Sequence, residues 1–316
     1  MKNREIDVDK PGERLDAFLA RRLDGMTRAF CKDIIERGKV TIRGVAKRAD
    51  YKVRDGDYIL VDSARDEWPE LDLDSWVLFE DEAFIVLDKP SGLLMHPMGE
   101  TWLTKPEAAA SEPVPNLAGL ILRVRPEIVK AGTPRCGLVH RLDRPTSGVL
   151  LLAKTPAAYK KLVAAFAGRE VFKTYRAIVL GSPEKKRHLV NAPVGRQPGR
   201  RRMEVLPWGR PSQTEFRVVG SAPGASLVEA QPKTGRTHQI RVHLAEVGLP
   251  VLGDPESIRA VEKKKIEELH LPKPPRLMLH AYRLRFKHPK TGKPLVFTTP
   301  PPRDFQDYWS LLRRLA

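Results

Sequence analysis

With 316 residues, of which 41% are hydrophobic and 30% charged, the chain has the composition of a globular protein with room for two domains, which excludes a disordered tail. The formal net charge of +17 favours a polyanionic partner, either nucleic acid or an anionic membrane surface. We expect no membrane partner, because no apolar run approaches the ~20 residues that span a bilayer, and Met1–Glu5 lacks the apolar core of a signal peptide. Cys31 and Cys136 are too few for a disulfide framework or a zinc site, so we expect a cytoplasmic protein.

The charge is unevenly spread along the chain. Residues 1–75 carry 16 basic and 17 acidic side chains, whereas residues 76–316 carry 40 basic and 22 acidic ones. The larger C-terminal part therefore supplies most of the positive field.

The first segment predicts two short helices followed by strands. Leu15, Phe18, Leu19 and Leu23 recur at helical spacing, and a second helix places Phe30, Ile34 and Ile35 inward before Gly38. Residues 40–42 and 58–61 have the composition of strands. Residues 62–75 are acidic around Pro69 and predict a linker.

From Trp76 onwards the pattern is mixed and mostly β. The short apolar runs 84–87 and 149–152 predict buried strands. Thr155 and Pro156 predict the start of a helix that runs to Gly168, and residues 305–312 predict an amphipathic helix at the end. Residues 99–115 have the composition of an exposed loop.

The runs Arg14–Asp16, Thr27–Gly44 and Val53–Asp57 together resemble the small α-L RNA-binding domain first described in a ribosomal protein. The resemblance covers about residues 13–61. It implies that a set of basic side chains faces an RNA backbone, namely Arg28, Lys32, Arg37, Lys39 and Arg43. The alternative is that these side chains are only the solvated faces of two helices.

Three polar clusters stand out against the apolar strands: residues 140–148, 173–177 and 235–244. The first runs directly into a predicted buried strand, which is a common position for a catalytic acid. If the third is helical, Ile240, Leu244 and Val247 point inward, while Thr237, His238 and Arg241 share a polar face. Taken singly, each cluster is also explained by a turn, a core side chain or a solvated helix.

Taken together and in order, these clusters resemble the RluA-type pseudouridine synthases. The segment Asp88–Pro97 resembles the first motif of that family, and His140–Asp143 with Thr146–Gly148 resembles the catalytic motif. The later motifs correspond to residues 173–175 and 235–244. The resemblance spans roughly residues 76–299 and implies an α+β protein, in which a small α-L domain precedes a mixed, mainly antiparallel β-sheet with flanking helices. It also implies that Asp143 is catalytic and that Tyr175 and Arg241 complete the site.

The family's reaction breaks the glycosidic bond of a uridine, turns the uracil and rejoins it through carbon five, so no cofactor or metal is expected. Asp143 would act as nucleophile or base, and an adjacent cation, Arg241, would keep it ionised. Tyr175 could stack on the flipped base or mediate removal of the carbon-five proton, and the sequence leaves both roles open. Further RNA contacts are expected from Lys89, His140, Arg141, Thr146, Lys173, Arg236, His238, Arg200, Arg201 and Arg202.

The sequence therefore predicts an α-L domain at residues 1–61, an acidic linker at 62–75 and a catalytic domain at 76–316. The expected partner is structured RNA, with ribosomal RNA favoured over transfer RNA and no DNA, and the expected state is a monomer. One alternative is a non-catalytic ribosome-assembly factor on the same fold. Another is a hydrolase with an Asp–His pair, which fits the net charge of +17 poorly. The chain departs from the family at Ser257-Ile258, where a Tyr-Gly pair is usual.

Overall fold

The computed structural model describes residues 4–23, 28–36, 38–62, 70–97, 99–112, 114–199 and 202–315. These residues fall into two compact units. The first comprises Met1–Leu73, Leu94–Lys130 and Pro134–Cys136, and the second comprises Asp74–Leu93, Ala131–Thr133 and Gly137–Ala316. Within the described residues, no helix is both long and apolar enough to cross a membrane.

The first unit contains a four-stranded antiparallel sheet in the order β1-β4-β2-β3. Its strands and helices are β1 (Arg4–Asp7), α1 (Leu15–Arg22), α2 (Arg28–Glu36), β2 (Val40–Ile42), β3 (Val45–Ala46) and β4 (Tyr58–Val61). Leu15, Phe18 and Leu19 of α1 are fully buried with Ile59 of β4 in one apolar core. The helices and strands predicted for this segment are confirmed, and residues 63–69 of the predicted linker lie outside the described residues.

Residues 94–130 form helices rather than the exposed loop that composition predicted for 99–115. They are α3 (Thr101–Thr104), α4 (Glu107–Ser111), α5 (Leu117–Val124) and α6 (Pro126–Lys130). Trp102 and Ala109 are 2% and 0% exposed, and the Trp102 ring stacks on His96 at a centroid distance of 4.9 Å. The loop prediction is wrong because it followed the polar and proline residues of this stretch and overlooked Trp102, whose buried ring packs the segment in place.

The first unit thus includes Leu94–Lys130, a segment that the sequence assigned to the catalytic domain. Val114 of this segment packs against the apolar core around Phe18. Spatial grouping does not decide which segments fold alone, so the domain limits stay a prediction.

Asn116 is the residue that fixes the start of α5. Its side chain is fully buried, accepts a hydrogen bond from Gly119 N at 2.9 Å and donates to Ala109 O at 2.9 Å. We expect Asn116→Ala to lower the free energy of unfolding by ~1–3 kcal/mol, because a cap is lost and buried main-chain groups lose a partner. Urea denaturation measures this change, and a cost below that of Thr155→Ala, a half-buried cap, would contradict it.

The second unit is built on a nine-stranded sheet in the order β5-β6-β7-β14-β8-β13-β12-β9, with β15 paired to β14. Its elements are β5 (Val77–Glu80), β6 (Phe84–Lys89), β7 (Ser147–Ala153), α7 (Pro156–Ala167), β8 (Phe172–Leu180), β9 (Arg187–Asn191), β10 (Val194–Arg196), β11 (Met203–Val205), β12 (Gln213–Ala222), β13 (Ala225–Pro232), α8 (Gln239–Glu246), α9 (Ala260–Glu268), β14 (Leu279–Lys287), β15 (Pro294–Thr298) and α10 (Arg303–Arg313). Strands β10 and β11 form a separate hairpin. Among the described strands, β7 and β14 are the one parallel pair.

Two apolar cores lie against this sheet. One contains Phe216 of β12 together with Phe305 and Tyr308 of α10. The other contains Phe84 of β6 and Phe286 of β14, whose rings meet edge to face at 5.3 Å. The predicted strands at 84–87 and 149–152, the capped helix α7 and the C-terminal helix are all confirmed.

The parallel pairing of β7 with β14 is short and tight. Gly148 has a φ of +114°, and a Cβ atom there would overlap the main chain of Ala281. Beside it, Ser147 Oγ lies 3.0 Å from Nδ1 of the buried His280, whose Nε2 lies 3.0 Å from Thr299 O. Only glycine fits at this contact, and the polar network fixes the N-terminal end of β7.

Candidate active site

Asp143 lies in a tight turn that leads directly into β7. The turn closes through a hydrogen bond from Thr146 N to Asp143 O at 3.0 Å. A second loop holds it: Gly92 N donates to Arg144 O at 2.8 Å, and Ser91 Oγ donates to Pro145 O at 2.7 Å. The main chain that carries the Asp143 carboxylate is therefore held by hydrogen bonds within the turn and by hydrogen bonds from the second loop.

Lys89 lies beneath this pair of loops and is fully buried. Its Nζ donates to Pro90 O at 2.7 Å and to Leu93 O at 3.0 Å, and it lies 3.4 Å from Arg144 O. Burial lowers the pKa of Lys89 to about 7, against the opposing effect of Asp143. The sequence placed Lys89 among the RNA-binding residues, but its ammonium group is enclosed by main-chain carbonyls, so we remove it from that set.

Arg241 is the cation that lies beside Asp143. It lies in the first turn of α8, and Nη1 is 3.6 Å from Oδ2 of Asp143. Its Nε and Nη2 donate to Asp254 at 2.8 and 2.6 Å, and neither partner of this bidentate pair is accessible to solvent beyond 5%. Asp254 thus holds one edge of the guanidinium group and leaves Nη1 directed at Asp143.

Two further ionisable groups complete this cluster. His238 Nε2 lies 3.9 Å from Asp143, and its Nδ1 lies 2.9 Å from Glu256 Oε2 without forming a hydrogen bond. Glu256 also lies 3.3 Å from Arg241 Nη2. Burial raises the pKa of Asp254, but the hydrogen bonds and charge of Arg241 outweigh burial and leave that pKa below its usual value.

The start of α8 is held by one amide side chain. Gln239 Oε1 accepts hydrogen bonds from Thr234 Oγ1 at 2.6 Å and Arg236 N at 3.0 Å. Its Nε2 donates to Gln213 O and Thr214 Oγ1, both at 3.0 Å. This buried network joins the start of α8 to β12 and to the segment after β13. It thereby sets the position of Arg241, two residues after Gln239.

These elements enclose a cavity of about 440 Å³, a volume in the range of small-molecule sites. Asp143, Tyr175 and Arg241 all line it. Most of the other RNA-contact residues predicted in this unit line it as well: His140, Arg141, Thr146, Lys173, Arg236 and His238. We call this space the Asp143 cavity. The structure therefore brings together residues from three separate sequence clusters.

The wall of the cavity also contains Tyr175 and Lys173 of β8. Burial, and to a smaller extent Asp143, raises the pKa of Tyr175 well above its usual value, so the phenol is neutral at physiological pH. Burial lowers the pKa of Lys173 to about 8. His140 Nε2 accepts a hydrogen bond from Leu151 N at 2.9 Å, and burial, then Lys173, lowers the pKa of His140 to about 3. The imidazole is therefore neutral.

The third cluster becomes helical only at Gln239, where α8 begins. Thr237, His238 and Arg241, which the sequence placed on one polar face, all line the Asp143 cavity. Ile240 and Leu244 are buried as predicted, but Val247 is 37% exposed. The prediction for Val247 is wrong because α8 ends at Glu246, so this residue lies beyond the helical periodicity.

Among the described RNA contacts predicted for the first unit, Arg28 and Arg43 are exposed, and Lys32 and Lys39 are half-buried. Arg28 is within 3.3 Å of Asp16, Lys32 is within 3.5 Å of Glu36, and Arg43 donates to Gly56 O at 2.9 Å. Lys39 directly precedes β2. Arg37, Arg200 and Arg201 lie outside the described residues, and Arg202 lies 3.5 Å from Glu204.

The sequence did not assign a role to Asp254, Glu256 or Gln239. Gln239 lies within a motif that was recognised, and the Gly253-Asp254 pair marked the segment that departs from the family. At Ser257, where the departure begins, the side chain hydrogen-bonds Asp254 and helps to lower the pKa of that carboxyl group. The altered loop thus contributes to the support of Arg241.

A half-buried carboxylate beside a cation in a ligand-sized cavity can serve as a nucleophile or as a base. The neutral phenol of Tyr175 offers a flat surface and a hydroxyl group to a bound ring. The basic residues around the cavity, among them Arg141 and Lys173, suit a ligand that carries negative charge.

Comparison with known proteins adds to this geometry. A family model described as RNA pseudouridylate synthase matches residues 83–246. The chain is 38% identical to an uncharacterized RNA pseudouridine synthase of Chloroflexus aurantiacus, over 95% of this chain and 90% of that protein. It is 34% identical to ribosomal large subunit pseudouridine synthase D of Pseudomonas aeruginosa, over 98% of this chain and 95% of that protein. The solved structure of human RNA pseudouridylate synthase domain containing 1 is similar, with a TM-score of 0.54 at 26% identity, over 72% of this chain and 83% of that one.

Proposed function

Because the chain belongs to the RNA pseudouridylate synthase family, we propose that this isomerase converts uridine to pseudouridine in ribosomal RNA, with Asp143 at the centre of the reaction. The observation that carries the assignment of Asp143 is its 3.6 Å approach to the buried Arg241 inside the cavity. Ribosomal RNA is supported by the large-subunit names of relatives that match along nearly the whole chain.

The reaction is an isomerisation, so substrate and product contain the same atoms. The bond from ribose C1′ to uracil N1 breaks, the ring turns, C1′ bonds to C5, and the C5 proton leaves while N1 gains one. Asp143 supplies the ionised carboxylate, either as a nucleophile towards the sugar or as the base that receives a proton. Arg241 stabilises that negative charge, and Asp254 keeps Arg241 in place.

We assign stacking on the flipped uracil to Tyr175. Its raised pKa keeps the phenol neutral, and a neutral phenol is a poor base but a good aromatic surface. Flipping the target nucleotide costs a few kcal/mol of lost stacking, which contacts inside the cavity offset. His140, Arg141, Thr146, Lys173, Arg236 and His238 are proposed to supply those contacts.

We further propose that residues 1–61 form an α-L RNA-binding domain and that residues 76–316 carry the catalysis. The two helices packed on a small sheet support this assignment of the N-terminal part. Its RNA-facing side chains would be Arg28, Lys32, Lys39 and Arg43, with Arg200, Arg201 and Arg202 as further contacts in the second unit. The buried thiols of Cys31 and Cys136 suit a reducing cytoplasm, and a monomer suffices because one chain holds the whole site.

The decisive experiment uses ribosomal RNA from a strain that lacks this gene. We expect the purified chain, with neither metal nor cofactor added, to introduce pseudouridine at a small number of discrete sites in that RNA. Carbodiimide-based mapping of pseudouridine measures the result, with transfer RNA from the same strain as the comparison substrate. Modification of transfer RNA alone would overturn the substrate assignment. Binding without any pseudouridine would support the non-catalytic assembly factor instead.

A further inference from the structure

Three arginines lie at or near the Asp143 cavity. Arg169 follows the last turn of α7, Arg210 lies just beyond β11, and Arg236 precedes α8. Arg169 and Arg236 line the cavity itself. Burial lowers the pKa of Arg236, and the charges of Arg210 and Arg169 lower it further, so both of these groups lie close enough to repel Arg236.

The charges of this cluster have no counter-ion in the part of the chain that the structure describes. Among the residues that the structure describes, none of the three guanidinium groups has a carboxylate within ion-pair distance. Other arginines of the same unit are paired: Arg217 with Glu229 at 2.9 Å and Arg276 with Asp304 at 2.6 Å. The Nε atom of Arg236 is also buried without a hydrogen-bond partner. A buried donor of this kind is costly, and an anionic acceptor would remove that cost.

The main chain holds two of these residues in place before any ligand binds. Arg236 N donates to the buried Gln239 side chain at 3.0 Å. Arg169 has a φ of +60°, and its N–H donates to Phe166 O at 3.2 Å, which ends α7. The main chain thus fixes where Arg169 and Arg236 leave the fold, while the side chains of Arg169 and Arg210 are exposed and accessible to a ligand.

The cavity is electrically asymmetric. Three carboxylates, Asp143, Asp254 and Glu256, lie around Arg241, whereas no described carboxylate lies within ion-pair distance of the arginine cluster. A ligand with a neutral ring and negatively charged groups beside it matches this arrangement. A nucleotide within an RNA strand has both, because its base is neutral and its phosphodiester groups are negative.

We propose that Arg169, Arg210 and Arg236 form a binding site for the RNA phosphodiester groups that flank the flipped uridine. This inference rests on the proposed function and adds to it the side of the cavity along which the RNA backbone runs. The uracil and ribose then face Asp143, while the backbone phosphates replace the missing counter-ions of the arginine cluster.

The test measures binding of a short fluorescein-labelled oligouridine RNA by anisotropy over a range of salt concentrations. Each phosphate contact on a single strand contributes ~0.7 to the slope of log affinity against log salt, so replacing all three arginines by glutamine should lower that slope by ~2. The same change corresponds to a loss of about a hundredfold in affinity at about 0.1 M salt. Because like charges are removed, the melting temperature should not fall.

Two variants separate a built site from a general positive field. Lys160→Gln removes one charge from the exposed face of α7, outside the cavity lining, and should leave the slope unchanged. Arg236→Lys keeps the charge but loses the Nε donor, so it should retain the slope and still weaken binding. An equal slope change for Lys160→Gln and for Arg236→Gln would overturn the site. Complete displacement of the labelled oligouridine from the wild type by inorganic phosphate would also overturn the proposal, because it would identify a site for free anions.

These outcomes are independent of the proposed function. Binding of the oligouridine needs no turnover, so the slopes test the arginine cluster even in an inactive protein. Absence of pseudouridine formation by the wild type would refute the proposed function. An unchanged slope of log affinity against log salt in the triple variant of an active enzyme would refute only this inference.

Discussion

Asp143→Asn is expected to abolish pseudouridine formation, with a loss of ~10³-fold or more, while the protein stays folded and keeps most of its affinity for RNA. Asparagine has nearly the shape of aspartate but cannot act as a carboxylate nucleophile or base. The side chain is 19% exposed, and Arg241 keeps its bidentate pair with Asp254 when the charge of Asp143 is removed, so the fold is retained. Product formation on unmodified ribosomal RNA measures the loss, with thermal melting in parallel.

A matched control comes from the C-terminal helix. Asp307→Asn makes the same chemical change at a side chain that is 71% exposed and forms an exposed pair with Arg303, so it should leave activity at the wild-type level. If Asp143 were only a turn residue, asparagine would be tolerated there as well. Full activity of a well-folded Asp143→Asn protein would therefore refute the proposed mechanism.

Arg241→Met is expected to destabilise the fold by ~3–5 kcal/mol at neutral pH and to lower activity by ~10²-fold or more. Methionine has a similar length but no charge, so it leaves the carboxylate of Asp254 fully buried without its partner. Chemical denaturation measures the free energy of unfolding, and adding Asp254→Leu should restore much of it without restoring activity. A double variant that regains activity would show that Arg241 serves the fold alone.

The pH dependence of this variant has a definite sign. In the wild type the pKa of Asp254 is lowered, so the pair stabilises the fold above the ordinary carboxyl pKa, and this contribution is lost as the pH falls through the lowered value. Without Arg241, burial alone raises the pKa of Asp254, and the variant is penalised most at high pH. The stability gap between the two proteins should therefore narrow as the pH falls towards ~4.

Local signals in the sequence predicted several elements of the fold. Thr155 and Pro156 marked the start of α7, and the apolar run at 149–152 marked β7, because capping and burial leave a direct trace in neighbouring residues. Trp102 was missed because nothing adjacent to it indicates burial. The short helices around it are stabilised by packing, which a local pattern does not record.

The candidate site could be predicted as a set of residues but not as an arrangement. Asp143, Tyr175 and Arg241 followed from ordered motifs, whereas the pairing of Arg241 with Asp254 depends on how a distant loop folds back. The Ser147–His280 contact joins residues 133 positions apart, and no periodicity in the chain encodes it. Contacts of this kind arise from tertiary packing and could be found only in the folded structure.

The insertion of β14 between β7 and β8 sets the order in which the enzyme can be completed during synthesis. β7 and β8 are close neighbours in the chain, yet the strand that pairs with both begins only at Leu279. Until β14 has been made, the strand that begins just beyond the Asp143 turn lacks one of its two neighbours, and Gly148 has no main chain against which to pack. A nascent chain that stops before β14 therefore lacks the contact that fixes the start of β7 beside Asp143.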